Sequence, residues 1–216
     1  MTGKKTGIPT KSAKIRAGDI LKKLKKLLPE AGMILRYSNH WELLVAVILS
    51  AQCTDKKVNE VTEKVFRKYR TLDHYLHANP RQFEKDIYQT GFYKNKTKNI
   101  LAAARYIQKH HKGEVPHTMA EMIKIPGVGR KTANVVLGNA YGIVEGIAVD
   151  THVARLSQKL GFSKHRDPER IEKDLMALFP KKDWFPLTYY LIEYGRKFCP
   201  ARKHDHKNCP LENLGM

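Results

Sequence analysis

Two helical stretches meet at Ile125-Pro126-Gly127-Val128-Gly129, and this short segment restricts the fold more than any other. Pro126 ends the first stretch, because the residue before a proline is pushed out of helical geometry. Gly127 and Gly129 permit positive φ and leave bare backbone at the surface. The chain must therefore turn back sharply and start a new helix at about Arg130. A helix that starts this way points its free amide groups outward, which makes a phosphate site. Two helices joined by such a hairpin can hold a nucleic-acid backbone without reading its sequence.

The rest of the chain has the same helical period. Ile20, Leu24, Leu27 and Leu28 form a stripe on a Lys-rich segment, and Trp41 to Ser50 is a nearly continuous apolar run. Thr54 or Asp55 can cap a helix with the stripe Val58, Val61, Val65 and Phe66. Ile100, Ala104 and Ile107 mark another over Lys94 to Gln108. Thr118-x-x-Glu121 is a capping-box pattern. Asp167-Pro168 starts a helix carrying Ile171, Leu175 and Leu178. Strand-like alternation is absent, apart from Gly146–Val149, which can be extended. The expected fold class is all-α.

Charge narrows the partner. Forty Lys and Arg against 21 Asp and Glu leave a formal +19. Such a surface attracts polyanions and speeds encounter with them. No apolar run approaches the roughly 20 residues of a membrane span. No secretory leader is visible at the N-terminus. We expect an intracellular protein of the cytoplasm or nucleoid, monomeric and away from membranes. Cys53, Cys199 and Cys209 are too few for a secreted disulfide framework, and Cys53 reads as a buried core thiol.

Nineteen residues beyond Lys131 comes Ala148-Val149-Asp150-Thr151-His152-Val153. Asp150 closes an apolar stretch and opens a helical run, so it can serve as an N-cap worth about 1 kcal/mol. Together, Ile-Pro-Gly-Val-Gly-Arg-Lys-Thr-Ala and Ile-Ala-Val-Asp-Thr-His-Val resemble the signature of the endonuclease III family. That family belongs to the helix-hairpin-helix-Gly/Pro-Asp superfamily of DNA glycosylases. The resemblance extends back through Leu49 to Asp55 and Thr90 to Tyr93, and forward to Tyr194-Gly195-Arg196.

The resemblance implies two helical domains with damaged double-stranded DNA in the cleft between them. Residues 34–142 would form a contiguous helical barrel ending in the hairpin. Residues 15–33 plus 143–216 would form the second domain, preceded by a basic disordered arm at 1–14. Lys131 would attack the sugar C1′ as a neutral amine and form a Schiff base, with Arg130 and the apolar floor of the hairpin helping to keep it deprotonated. Asp150 would activate the lysine or support positive charge on the sugar. Gly127, Val128, Gly129 and Arg130 would hold the DNA backbone. Gln52 would fill the gap left by the flipped base, with Phe92 as an apolar wedge.

Most members of the family that this chain resembles carry a C-terminal [4Fe–4S] cluster on C-x6-C-x2-C-x5-C. Here the register runs Cys199, His206, Cys209 and Gly215, so two of the four thiolates are missing. The expectation is no cluster and no cofactor, with the tail folding by helix packing alone. A second reading keeps the place and changes the ion: Cys199, His206 and Cys209, with His204 nearby, as zinc ligands.

The expected activity is excision of oxidised pyrimidines such as thymine glycol, with AP lyase nicking by β-elimination. The alternatives are the same chemistry on an oxidised purine or a UV dimer, a non-catalytic helix-hairpin-helix module, and an RNA binder. Arg202 and Lys203, with Lys207, would present a basic loop to phosphates. Neutralising these three should weaken binding to duplexes of any sequence and flatten its log–log salt slope by about 0.9 per lost phosphate contact. Unchanged binding and slope would remove this loop from the interface.

Overall fold

A computed structural model describes residues 9–211, and every regular element among them is helical. In chain order these are α1 (Lys11–Leu27), α2 (His40–Leu49), α3 (Asp55–Lys68), α4 (Leu72–Leu76), α5 (Pro80–Ile87) and α6 (Tyr93–His111). There follow α7 (Met119–Met122), α8 (Arg130–Tyr141), α9 (Thr151–Lys159), α10 (Pro168–Leu178) and α11 (Lys181–Lys197). Short 3-10 turns occupy Tyr88–Thr90 and His206–Asn208. No helix among the described residues is long and apolar enough to cross a membrane.

The chain forms two compact units. One spans Ile34–Ile143 and holds α2 to α8; the other joins α1 to the chain from Val144 onward. In the first unit, Leu43, Leu44, Val58, Ile100, Ile107, Val136 and Leu137 are fully buried. An aromatic group of Trp41, Tyr69, Tyr75 and Phe83 closes one side of it, with ring centroids 5.1 to 5.7 Å apart. In the second unit, Ile20 and Leu24 of α1 meet Val153 and Leu156 of α9, Ile171 and Leu175 of α10, and Leu187 and Leu191 of α11.

Helix starts follow local chemistry. Thr10, Asn39, Thr54, Asn79, Thr118, Asp150 and Asp167 each accept a first-turn amide through the side chain, which replaces a missing intrahelical bond. The Thr10 cap corrects the reading of residues 1–14 as an arm. It accepts from the amide of Ala13, so Lys11 to Lys14 are already helical. The arm's first eight residues lie outside the described ones. Cys53 is also corrected: α2 ends at Leu49, so the thiol sits half-buried in the following turn and not in the core.

Residues 146–149 form no strand. Side chains satisfy the backbone there instead. The Ile147 amide donates to Glu172 (3.2 Å), and the Ala148 carbonyl accepts from the Thr188 hydroxyl (3.1 Å). This buried segment leads directly into Asp150.

Helix α9 approaches α11 over Gly195. A Cβ there would lie 2.6 Å from His152 Nδ1 and 3.3 Å from the Arg155 guanidinium. Gly195→Ala should therefore lower stability by about 1–3 kcal/mol, the usual cost of overpacking. Urea unfolding measures this, and an unchanged midpoint would show that α9 and α11 can part without penalty.

Candidate nucleic-acid interface

The hairpin is built from its backbone outward. The Val128 amide bonds the Ile125 carbonyl (3.0 Å), closing the turn, while Ile125 and Val128 bury their side chains as its floor. Gly127 sits at φ +80°, and a Cβ there would lie 2.7 Å from Asn99 Cβ on α6. The position therefore excludes side chains twice, by conformation and by space. Gly129 is the N-cap of α8 and has no side chain to offer the first turn. The leading amides of α8 thus lack intrahelical acceptors, the arrangement that binds anions. Gly127, Gly129, Arg130 and Lys131 are exposed, so backbone and cations share one surface.

Lys131 is the second residue of α8. Its side chain is exposed. Asp150, in the other unit, is the N-cap of α9. One carboxylate oxygen accepts the Val153 amide at 2.8 Å, which fixes the side chain.

Gln52 and Phe92 share an unusual backbone. Among described non-glycine residues only Gln52 (φ 53°), Phe92 (φ 47°) and Lys112 (φ 52°) are left-handed. Lys112 is an ordinary helix C-cap of α6. The other two are exposed at turn tips, Phe92 61% so. Such strain at exposed tips is typical of contact residues.

A residue that the sequence reading passed over ties these turns together. Lys96 is 4% exposed. Its ammonium donates to the Leu49 carbonyl (2.8 Å) at the end of α2 and to the Thr90 carbonyl (2.7 Å) just before Phe92. Burial pushes its pKa below the usual lysine value, and nearby Cys53 acts in the opposite direction. One buried cation thus sets the spacing of the Gln52 and Phe92 turns. In sequence it is one lysine among many, and only its place on the buried side of α6 distinguishes it.

The tail beyond α11 brings together more than expected. Cys199, His204, His206 and Cys209 offer four ligand atoms, all within 4.8 Å of one another. His204, only nearby in sequence terms, thus joins Cys199, His206 and Cys209 as a fourth potential ligand. Arg202 and Lys203 lie in the same loop and are exposed. This donor set does not suit a [4Fe–4S] cluster, which calls for four good ligands, usually thiolates. Only two thiols are present, and Gly215, outside the described residues, has no donor atom.

The model of the HhH-GPD superfamily of base excision DNA repair proteins matches residues 45–181. Endonuclease III of Synechocystis sp. is 49% identical over 203 residues, covering 94% of this chain and 93% of that protein. A solved non-covalent endonuclease III–DNA complex aligns with TM-score 0.89 and 42% identity over 94% of both chains. A trapped covalent endonuclease III–DNA intermediate aligns equally well, at 0.89 and 42% over 93% of this chain and 94% of that one. The chain belongs to the endonuclease III family of this superfamily.

Lys96→Met keeps the bulk of the side chain and leaves two buried carbonyls unpaired. It should cost about 2 kcal/mol or more of stability. If the Gln52 and Phe92 turns enter damaged DNA, it should also weaken binding to an abasic duplex more than to an undamaged one. Equal loss on the two duplexes would leave Lys96 a purely structural residue.

Proposed function

We infer that this protein is a base-excision DNA glycosylase with AP lyase activity, acting on oxidised pyrimidines in duplex DNA. The observation that carries the reading is Lys131, exposed in the first turn of α8 directly after a glycine hairpin shaped for phosphate. The solved complexes of endonuclease III with DNA, one of them covalent, support it.

The chemistry assigns each group a task. The hairpin amides and Arg130 seat the phosphodiester backbone. The damaged nucleotide leaves the stack, Gln52 takes its place and Phe92 wedges the neighbouring base step. Docked DNA excludes water around Lys131, which favours the neutral amine. The amine then attacks C1′ as the C1′–base bond breaks and the base departs with the bonding electrons. Asp150 takes the proton from the attacking nitrogen and offsets positive charge on the sugar. Ring opening gives a Schiff base to Lys131. Loss of a C2′ proton then expels the 3′ phosphate, leaving a nick. On this reading the enzyme works inside the cell, at the nucleoid, as a monomer.

Two substitutions separate chemistry from folding. With an abasic duplex and borohydride, the native protein should give a covalent adduct that Lys131→Ala does not. Asp150→Asn retains a good helix cap, so stability should barely change while excision falls by about 10²-fold or more. A native protein that nicks DNA without a trappable adduct, or an Asn variant of full activity, would contradict these roles.

A further inference from the structure

We propose that the tail beyond α11 is a mononuclear zinc site, held by Cys199 Sγ, His204 Nε2, His206 Nδ1 and Cys209 Sγ. The proposal goes beyond the repair activity and stands whether or not that activity is as assigned. The distances suit one ion. Tetrahedral zinc, with Zn–S about 2.3 Å and Zn–N about 2.0–2.1 Å, separates a sulfur from a nitrogen ligand by about 3.5 Å. Cys209 Sγ lies 3.4 Å from His204 Nε2 and 3.7 Å from His206 Nδ1. A cube of iron and sulfide must sit inside its ligands, so it would hold them farther apart than a single ion does.

The surroundings are those of a ligand set. His204 Nδ1 lies 2.9 Å from the Arg202 carbonyl, which can only accept, so the proton is on Nδ1. That leaves the Nε2 lone pair facing Cys209, and a ring held by a backbone carbonyl is the common support of a metal-bound histidine. The Arg155 guanidinium lies 3.6 Å from Cys199 Sγ and also donates to the Cys199 carbonyl (2.5 Å), placing a cation where a thiolate would form. Both thiols are buried, Cys199 at 1% and Cys209 at 5% exposure. Contacts already made by these atoms must give way. Cys209 Sγ donates to the Phe198 carbonyl at 3.3 Å, and Lys159 Nζ contacts His206 Nδ1. Binding would send the two thiol protons to solvent and swing the Lys159 ammonium out to water. The ion would then join the end of α11 to the His206–Asn208 turn and fix Arg202 and Lys203 between its ligands.

The full chain, stripped of metal by chelation, is titrated with Co²⁺ and then with Zn²⁺. One Co²⁺ per chain should bind, with the visible bands of a tetrahedral ion and a near-ultraviolet thiolate band, and Zn²⁺ should displace it. Zinc should raise the unfolding temperature, and Cys209→Ser and His204→Ala should each weaken binding by tenfold or more. In case those variants fold poorly, Lys159→Met supplies a second arm: it removes the competitor for His206 and should tighten binding. No tetrahedral Co²⁺ spectrum, or binding undiminished in Cys209→Ser, would overturn the proposal. Protein purified with several irons and inorganic sulfide would overturn it in favour of a cluster. Adduct formation through Lys131, measured on the same samples, keeps a failed zinc site distinct from a failed lyase assignment.

Discussion

The turn at Gly127 packs so closely on α6 that one added methyl group would meet Asn99 at 2.7 Å. This close approach holds the hairpin at a fixed height and exposes its backbone, and several features follow from it. Ile125 and Val128 become a floor, Gly129 hands α8 an uncapped start, and Lys131 is carried into the first turn with the amides. A looser turn would leave the same residues in sequence but would not aim backbone and amine at one stretch of DNA. Bare glycine is needed here because both the positive φ and the approach of Asn99 exclude a side chain.

The same economy recurs at the Gln52 and Phe92 turns. Gln52 and Phe92 adopt left-handed backbone that costs on the order of 1–3 kcal/mol each. Lys96 holds both turns from beneath through two carbonyls. Its buried charge is tolerable because the ammonium is hydrogen-bonded at both ends. The strain, the exposure and the buried tether share one explanation if these tips enter DNA.

Much of this was legible in the sequence, and the reasons are physical. Stripes such as Ile20–Leu24 and Val58–Val61–Val65 announce their helices, because a 3.6-residue period has few other causes. Caps at Thr118 and Asp167 were readable because the side chain bonds its own backbone three residues on. Helices α4 and α5 were not read, being five and eight residues long and too short to show a period. Lys11 to Lys14 look alike coiled or helical, because Lys-Ser-Ala-Lys carries no apolar stripe. Lys131 and Asp150 came from pattern and resemblance together, whereas the burial of Lys96 depends on α2 folding back over 47 residues, and the closeness of His204 to Cys209 on how one loop turns. A lysine's burial is a tertiary fact.

The central claim is that the Lys131 amine is the group that reacts with the sugar. The most direct measurement is peptide mass mapping of the borohydride-reduced protein–DNA adduct after protease and nuclease digestion. The account predicts that the residual sugar mass falls on Lys131 alone. The same mass on the neighbouring Lys124, on Lys96 or on the chain's amino terminus would contradict it.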